Sequence, residues 1–166
     1  MSKKKDLNSI RDKIDSLDER ILSLLNERAD FAIEAGKAKE ESIKYKPARE
    51  ATIFNKLKAT NKGPLSNDQI ISIYNEIISA CRSTESDIKV AYLGPEGTYS
   101  QSALQSKFGS SVETKPEPSI RSVFEEVKKG LCNFGIVPIE NSSEGSVNLT
   151  LDCLMEFDLT LSLIHI

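Results

Sequence analysis

Tryptophan is absent from this chain, histidine occurs once, and no apolar run approaches the length of a membrane span. The one histidine, His165, stands at the extreme end, which leaves no histidine-based triad and no histidine-rich metal site, so no bound metal is expected. The lysines of "SKKKD" near the start are not followed by an apolar segment, so neither export nor a membrane is indicated and the cytoplasm is the expected location. Cysteine is scarce and odd in number: Cys81, Cys132 and Cys153 lie far apart without CxxC spacing. They read as reduced thiols, buried or bystanders, rather than a disulfide framework. Positive charge is not in excess either, since the formal net charge is −3, and nothing calls for nucleic acid. What remains, with 39% apolar and 28% charged residues over 166 positions, is a globular protein of one ordinary domain or two small ones.

The strongest pattern present is helical. Leu7, Ile10, Ile14, Leu17, Ile21, Leu24, Arg28, Phe31, Ala35 and Ala38 follow a three-four spacing, which predicts one amphipathic helix from about Asp6 to about Glu41. Such a helix would be roughly 54 Å long, more than a small domain can cover, so a homodimer is expected. "IKYKP" breaks the period, and Pro47 fits the first turn of a second helix reaching Thr60. "NKGPLS" marks a turn. Ser66 and Gln69 form a capping box for a third helix with Ile70, Ile73, Tyr74, Ile77, Ile78 and Cys81 on one face.

Beyond "STESD" the grammar changes to alternating strands and helices, which indicates an α/β unit with a mainly parallel sheet. "IKVAYLG" and "FGIVPIE" read as buried strands and "SVETK" as a third. "TYSQSALQSKFG" reads as a helix closed by Gly109, "SIRSVFEEVKKG" as one capped by Ser119, and "VNLTLDCLMEF" as the start of another; "LTLSLIHI" is strand-like. The expected division is 1–86 for the helical unit and 87–166 for a partial α/β unit.

Chemistry enters where the helical seam accepts a cation. A guanidinium at a leucine position needs a partner, and an ion pair with an acidic residue of a second chain is one solution. Another is a ligand. Arg28 and Lys39 bracket the small residues Ala32 and Ala35, with Gly36 adjacent, and their Cα atoms would stand roughly 16 Å apart, which suits a small anion. Arg11 lies too far back along a straight helix to share that slot, but in an antiparallel dimer it reaches the partner's. In the second unit, Thr98, Tyr99 and Ser100 sit at the N-terminus of a helix, where amides and hydroxyls favour an anion. Asn141, Ser142 and Ser143 lie just past a strand end, where open α/β sheets hold ligands. Each could equally be an ordinary capped turn.

The segment "IRDKIDSLDERILSLLNERADFAIEAGKAK", followed by "YKPARE" and "IISIYNEIISACRSTE", resembles the all-helical chorismate mutase family over roughly residues 6 to 86. The resemblance implies an intertwined three-helix dimer that rearranges chorismate to prephenate without a cofactor. It assigns carboxylate binding to Arg28 and the partner's Arg11, with Arg49 in support. It also implies that Lys39 donates to the ether oxygen and Glu50 accepts from the ring hydroxyl. Cys81 stands where serine is common and Glu85 where the second ether-oxygen donor is expected, unless Glu85 belongs to a solvated linker and touches nothing. Lys46 replaces an acidic residue at the mouth of the site.

"YLGPEGTYS" and "GIVPIENSSEGSVNLTLDCL" resemble the opening motifs of prephenate dehydratases, whose fold is similar to periplasmic ligand-binding proteins. The family's Thr-Arg-Phe motif has no counterpart here, so no dehydratase turnover is expected from these residues, and after Asp158 the sequence is expected to leave the family pattern. The product of the first reaction is the substrate of the second. The rival reading is a helical dimerisation module joined to a fragment of a small-anion-binding α/β domain, without turnover.

Overall fold

In the computed structural model, residues 7–38, 47–85, 87–141 and 145–162 are described. The three-four seam forms α1 (Leu7–Lys37), 31 residues long, with Ala38 closing on the Glu34 carbonyl at 3.1 Å. Whether the helix runs to Glu41 lies outside the described residues. α2 (Pro47–Thr60) starts on the proline, whose missing N–H costs nothing in a first turn. α3 (Asn67–Glu85) opens with the reciprocal capping box: Gln69 N donates to Ser66 Oγ at 3.2 Å, and Ser66 N donates to Gln69 Oε1 at 2.9 Å. Both α1 and α2 pack on α3.

This helical region has little core of its own. In α1 only Gly36 is buried and in α2 nothing is, while Leu7, Ile14, Leu17, Ile21, Leu24 and Phe31 each remain more than half exposed. Of the apolar face expected on α3, Ile73 is also exposed, and burial sets in only from Ile78 onward.

The second region is a small parallel sheet with helices on both faces. β1 (Lys89–Leu93) is central, flanked by β2 (Glu113–Glu117) and β3 (Phe134–Ile136), both parallel to it. α4 (Tyr99–Phe108) connects β1 to β2, and α5 (Ile120–Lys128) connects β2 to β3. Strand alternation divides the core: Val90 and Tyr92 pack with Leu104 and Phe108 of α4, whereas Ala91 packs with Val123 of α5. Lys115 ties β2 to α5 by reaching Glu126 at 2.5 Å, and also contacts Glu117 at 3.0 Å. A third cluster joins Ile120 and Phe124 to Cys153 and Phe157, at and just beyond α6 (Asn148–Glu156). All three cysteines are free and buried.

Several strand expectations are corrected. "SVETK" forms its strand two residues later, at Glu113–Glu117, with Pro116 tolerated because β2 has a partner on one side only. "FGIVPIE" is not one buried strand: β3 stops at Ile136 and is half-buried at best, because its pairing with β1 reaches only Tyr92↔Ile136 and Pro138 has no N–H to extend the ladder. The chain then forms a two-stranded antiparallel ribbon, β4 (Glu140–Asn141) with β5 (Gly145–Ser146). Leu159 to Ser162 form no strand, since Leu159 turns back to pack on the α6 cluster; the rest of that run lies outside the described residues.

The two regions are packed together along α3. Gly109 closes α4 at φ 71° and ψ −168°, a conformation that favours glycine, and lies so close to Ser79 that a Cβ there would fall 2.4 Å from the serine Cβ. Ser79 is fully buried and accepts from Ser111 N at 3.2 Å, while Glu76 accepts from Ser110 N at 3.1 Å and from its hydroxyl at 2.6 Å. Gly109→Ala combines backbone strain with overpacking, and is expected to lower stability by at least about 2 kcal/mol. Urea denaturation of the two proteins checks this, and a change within about 0.5 kcal/mol would contradict the contact.

Candidate active site

The C-terminal half of α3 gathers the helical region's buried charge. Ile78, Cys81 and Arg82 are buried and Glu85 is half-buried, so the stripe that begins apolar ends ionic. Glu85 reaches across to α1: its Oε2 would lie 3.3 Å, and its own Cβ 3.4 Å, from a Cβ placed on Gly36. Glycine is therefore what lets α3 bring a carboxyl up against the C-terminal part of α1. Glu85 is part of α3 and packed on α1, so it does not belong to a solvated linker.

Glu50 projects from the first turn of α2 toward α3, where Arg82 Nη2 donates to its Oε1. Both side chains are shielded, at 14% and 5% exposure. Burial pushes the Glu50 carboxyl above its ordinary range, and Arg82, with a weaker contribution from Lys107, pulls it back. Arg82 also lies over the Phe108 ring, 5.8 Å from its centroid.

The other residues expected at the site are distributed as follows. Arg28 is half-buried on α1, and among the described residues no ion pair to an acidic side chain of this chain engages it. Arg11 is exposed on the same helix, in the stretch that carries the uncovered apolar seam. Arg49 is exposed beside Glu50, and Cys81 is buried beside Arg82. Lys39 and Lys46 lie outside the described residues, as do Ser142 and Ser143.

Arg82 is the residue that sequence reasoning missed. A cation in the last turn of a helix reads as an ordinary C-terminal charge. The available signal was its place four residues after Ile78, continuing the apolar stripe as Arg28 continues the seam of α1.

In the α/β region, the loop after β1 and the segment after β3 emerge side by side, because β1 and β3 are parallel neighbours. With α4 and α5 on opposite faces, this is the point where the connections diverge, the usual ligand crevice of open α/β sheets. Thr98 is the N-cap of α4, but its hydroxyl donates to the Leu93 carbonyl at 3.3 Å and makes no side-chain capping bond. Ser100 is half-buried and Tyr99 is 95% exposed. Asn141 is the last residue of β4 and pairs with Gly145 of β5. The segment leading there is anchored by Thr150, whose hydroxyl donates to the Pro138 carbonyl at 2.7 Å.

Helices that bury a charged pair on a poorly covered frame, followed by a small parallel sheet with helices on both faces, define a helical unit joined to an α/β unit. The particular families follow from comparison: residues 10–86 belong to the chorismate mutase type II family and residues 90–164 to the prephenate dehydratase family. The latter match continues past Asp158, which corrects the expectation that the family pattern ends there.

Similar proteins carry both. A bifunctional chorismate mutase/prephenate dehydratase of Stutzerimonas stutzeri is 47% identical over 168 residues, covering 97% of this chain and 46% of that protein. The protein of the same description from Aquifex aeolicus is 43% identical, covering 95% and 45%. That of Escherichia coli K12 is 29% identical, covering 97% and 47%. The chain spans about half the length of the curated relatives it matches.

Proposed function

We propose that this chain, as an intertwined homodimer, rearranges chorismate to prephenate, a step of phenylalanine biosynthesis in the cytoplasm, and that its α/β region carries the beginning of a prephenate-binding site. The observation that carries the reading is the meeting of Glu50 and Glu85 with the C-terminal halves of α1 and α3, on elements otherwise rich in exposed apolar surface. A dimerisation seam alone gains nothing from burying charge there.

The reaction is a Claisen rearrangement, which needs no covalent partner. The protein holds the substrate in a chair-like conformation and stabilises charge growing on the ether oxygen as the C–O bond breaks. In this reading Arg28 and the partner's Arg11 bind the carboxylates, with Arg49 supporting that end. Lys39 donates to the ether oxygen. Cys81 lines the pocket wall. Glu50 keeps lone pairs beyond the one engaged by Arg82, and these accept the ring hydroxyl. In the α/β region, Thr98, Tyr99, Ser100, Asn141, Ser142 and Ser143 are assigned to prephenate binding, in a fold similar to periplasmic ligand-binding proteins.

Following the loss of chorismate absorbance with the purified chain tests the activity directly, and the absence of turnover above the uncatalysed rate would refute it. Glu85 provides a finer check. Its carboxyl donates to the ether oxygen only when protonated, so any fall in turnover with rising pH that comes from losing this donor is one that an amide would remove. Glu85→Gln supplies an amide donor at every pH and is expected to flatten that fall. Superimposable kcat/KM profiles from acid to neutral pH would remove Glu85 from the site.

A further inference from the structure

Arg82 is the one buried cation among the described residues, and three elements meet on it. It projects from α3, binds Glu50 from the first turn of α2, and rests on Phe108, the last residue of α4. The substrate roles assigned above do not use it. Nor is it a surface ion pair: both partners are shielded, so each depends on the other to offset lost hydration.

The position of Phe108 is fixed from the same side. Gly109, Ser110 and Ser111, immediately after it, are the residues that lock onto Ser79 and Glu76 of α3. The ring therefore belongs to the α/β core while its other neighbours bind the helix that carries Arg82.

We propose that Arg82 is a positioning residue for chorismate turnover, holding the Glu50 carboxylate in place, and that Phe108 is the wall against which it is held. The α/β region thereby contributes to the reaction of the helical region. The inference rests on the reading of Glu50 as the acceptor of the ring hydroxyl.

The charges facing Glu50 are Arg82 from α3 and Lys107 from α4, both of which favour its ionised form; Arg49 neighbours it on α2, and Glu85 lies farther along α3, against α1. Removing Arg82 leaves burial less opposed, so the Glu50 carboxyl takes up its proton at higher pH. In the full chain, Arg82→Met is expected to raise the acid limb of the kcat/KM profile by about one pH unit or more, and to raise KM for chorismate. Arg82→Lys restores part of the shift, because it returns the charge without the planar fork. Phe108→Leu moves the limb in the same direction by less.

A folded Arg82→Met protein with the wild-type limb overturns the inference. If that variant does not fold, Arg82→Lys and Phe108→Leu carry the test, and wild-type limbs in both overturn it. Glu50→Gln separates the inference from the reading beneath it. Loss of activity there with no shift in Arg82→Met defeats the positioning role alone, whereas wild-type turnover by Glu50→Gln defeats the assignment of Glu50 and the inference with it.

Discussion

Arg28→Ala is expected to lower kcat/KM for chorismate by about 10²–10³, the effect of losing one preorganised donor to a charge that grows in the transition state. Lys39→Ala is expected to do the same. The loss should fall on catalysis rather than folding. Arg28 is only half-buried, and no ion pair to an acidic side chain among the described residues breaks when it is removed. Far-ultraviolet circular dichroism of each variant should therefore overlay that of the parent. Near-normal kcat/KM in either variant would refute the role given to it.

The second large effect concerns the seam of α1. Ile14 and Ile21 are 51% and 52% exposed within one chain, and the helix carrying them runs on for roughly 46 Å with only Gly36 buried. In the proposed dimer a second copy covers that surface, and Arg11, in the same stretch, is expected to lie against the other chain's site. Ile14→Asp combined with Ile21→Asp places unpaired carboxylates in the proposed interface, where desolvation makes them costly. Sedimentation velocity at micromolar concentration should show the dimer lost, with activity lost along with it. A dimer that survives both substitutions, or a folded monomer that still turns over chorismate, would sink the assembly.

Much of this fold could be read where local chemistry decides the outcome. Pro47 opens α2, Ser66 with Gln69 opens α3, Ser119 caps α5 and Gly109 closes α4, because each solves a problem of unpaired backbone groups within a few residues. The strands were less legible. The length of β3 is set by the five residues of its neighbour β1, and "FGIVPIE" does not contain that information.

The site divides in the same way. Arg28 and Glu50 stand out because their spacing matches a known pattern. Arg82 does not, since its meaning comes from partners 32 positions before it and on a helix beyond the next strand. Gly36 likewise looked like a small residue inside a slot, whereas what its missing side chain makes room for in the structure is Glu85.

The close approach of Gly109 to Ser79 bears on how the chain can be divided. A junction built this way is a mortise and not a tether: its geometry is set by atoms in contact along α3. A cut between α3 and β1 yields two pieces with raw faces. The helical piece is left with Ser79 and Arg82 newly wetted, and the other piece with Phe108 stripped of its cover. Anyone wishing to study either half alone would do better to resurface α3 first than to search for a better cleavage point.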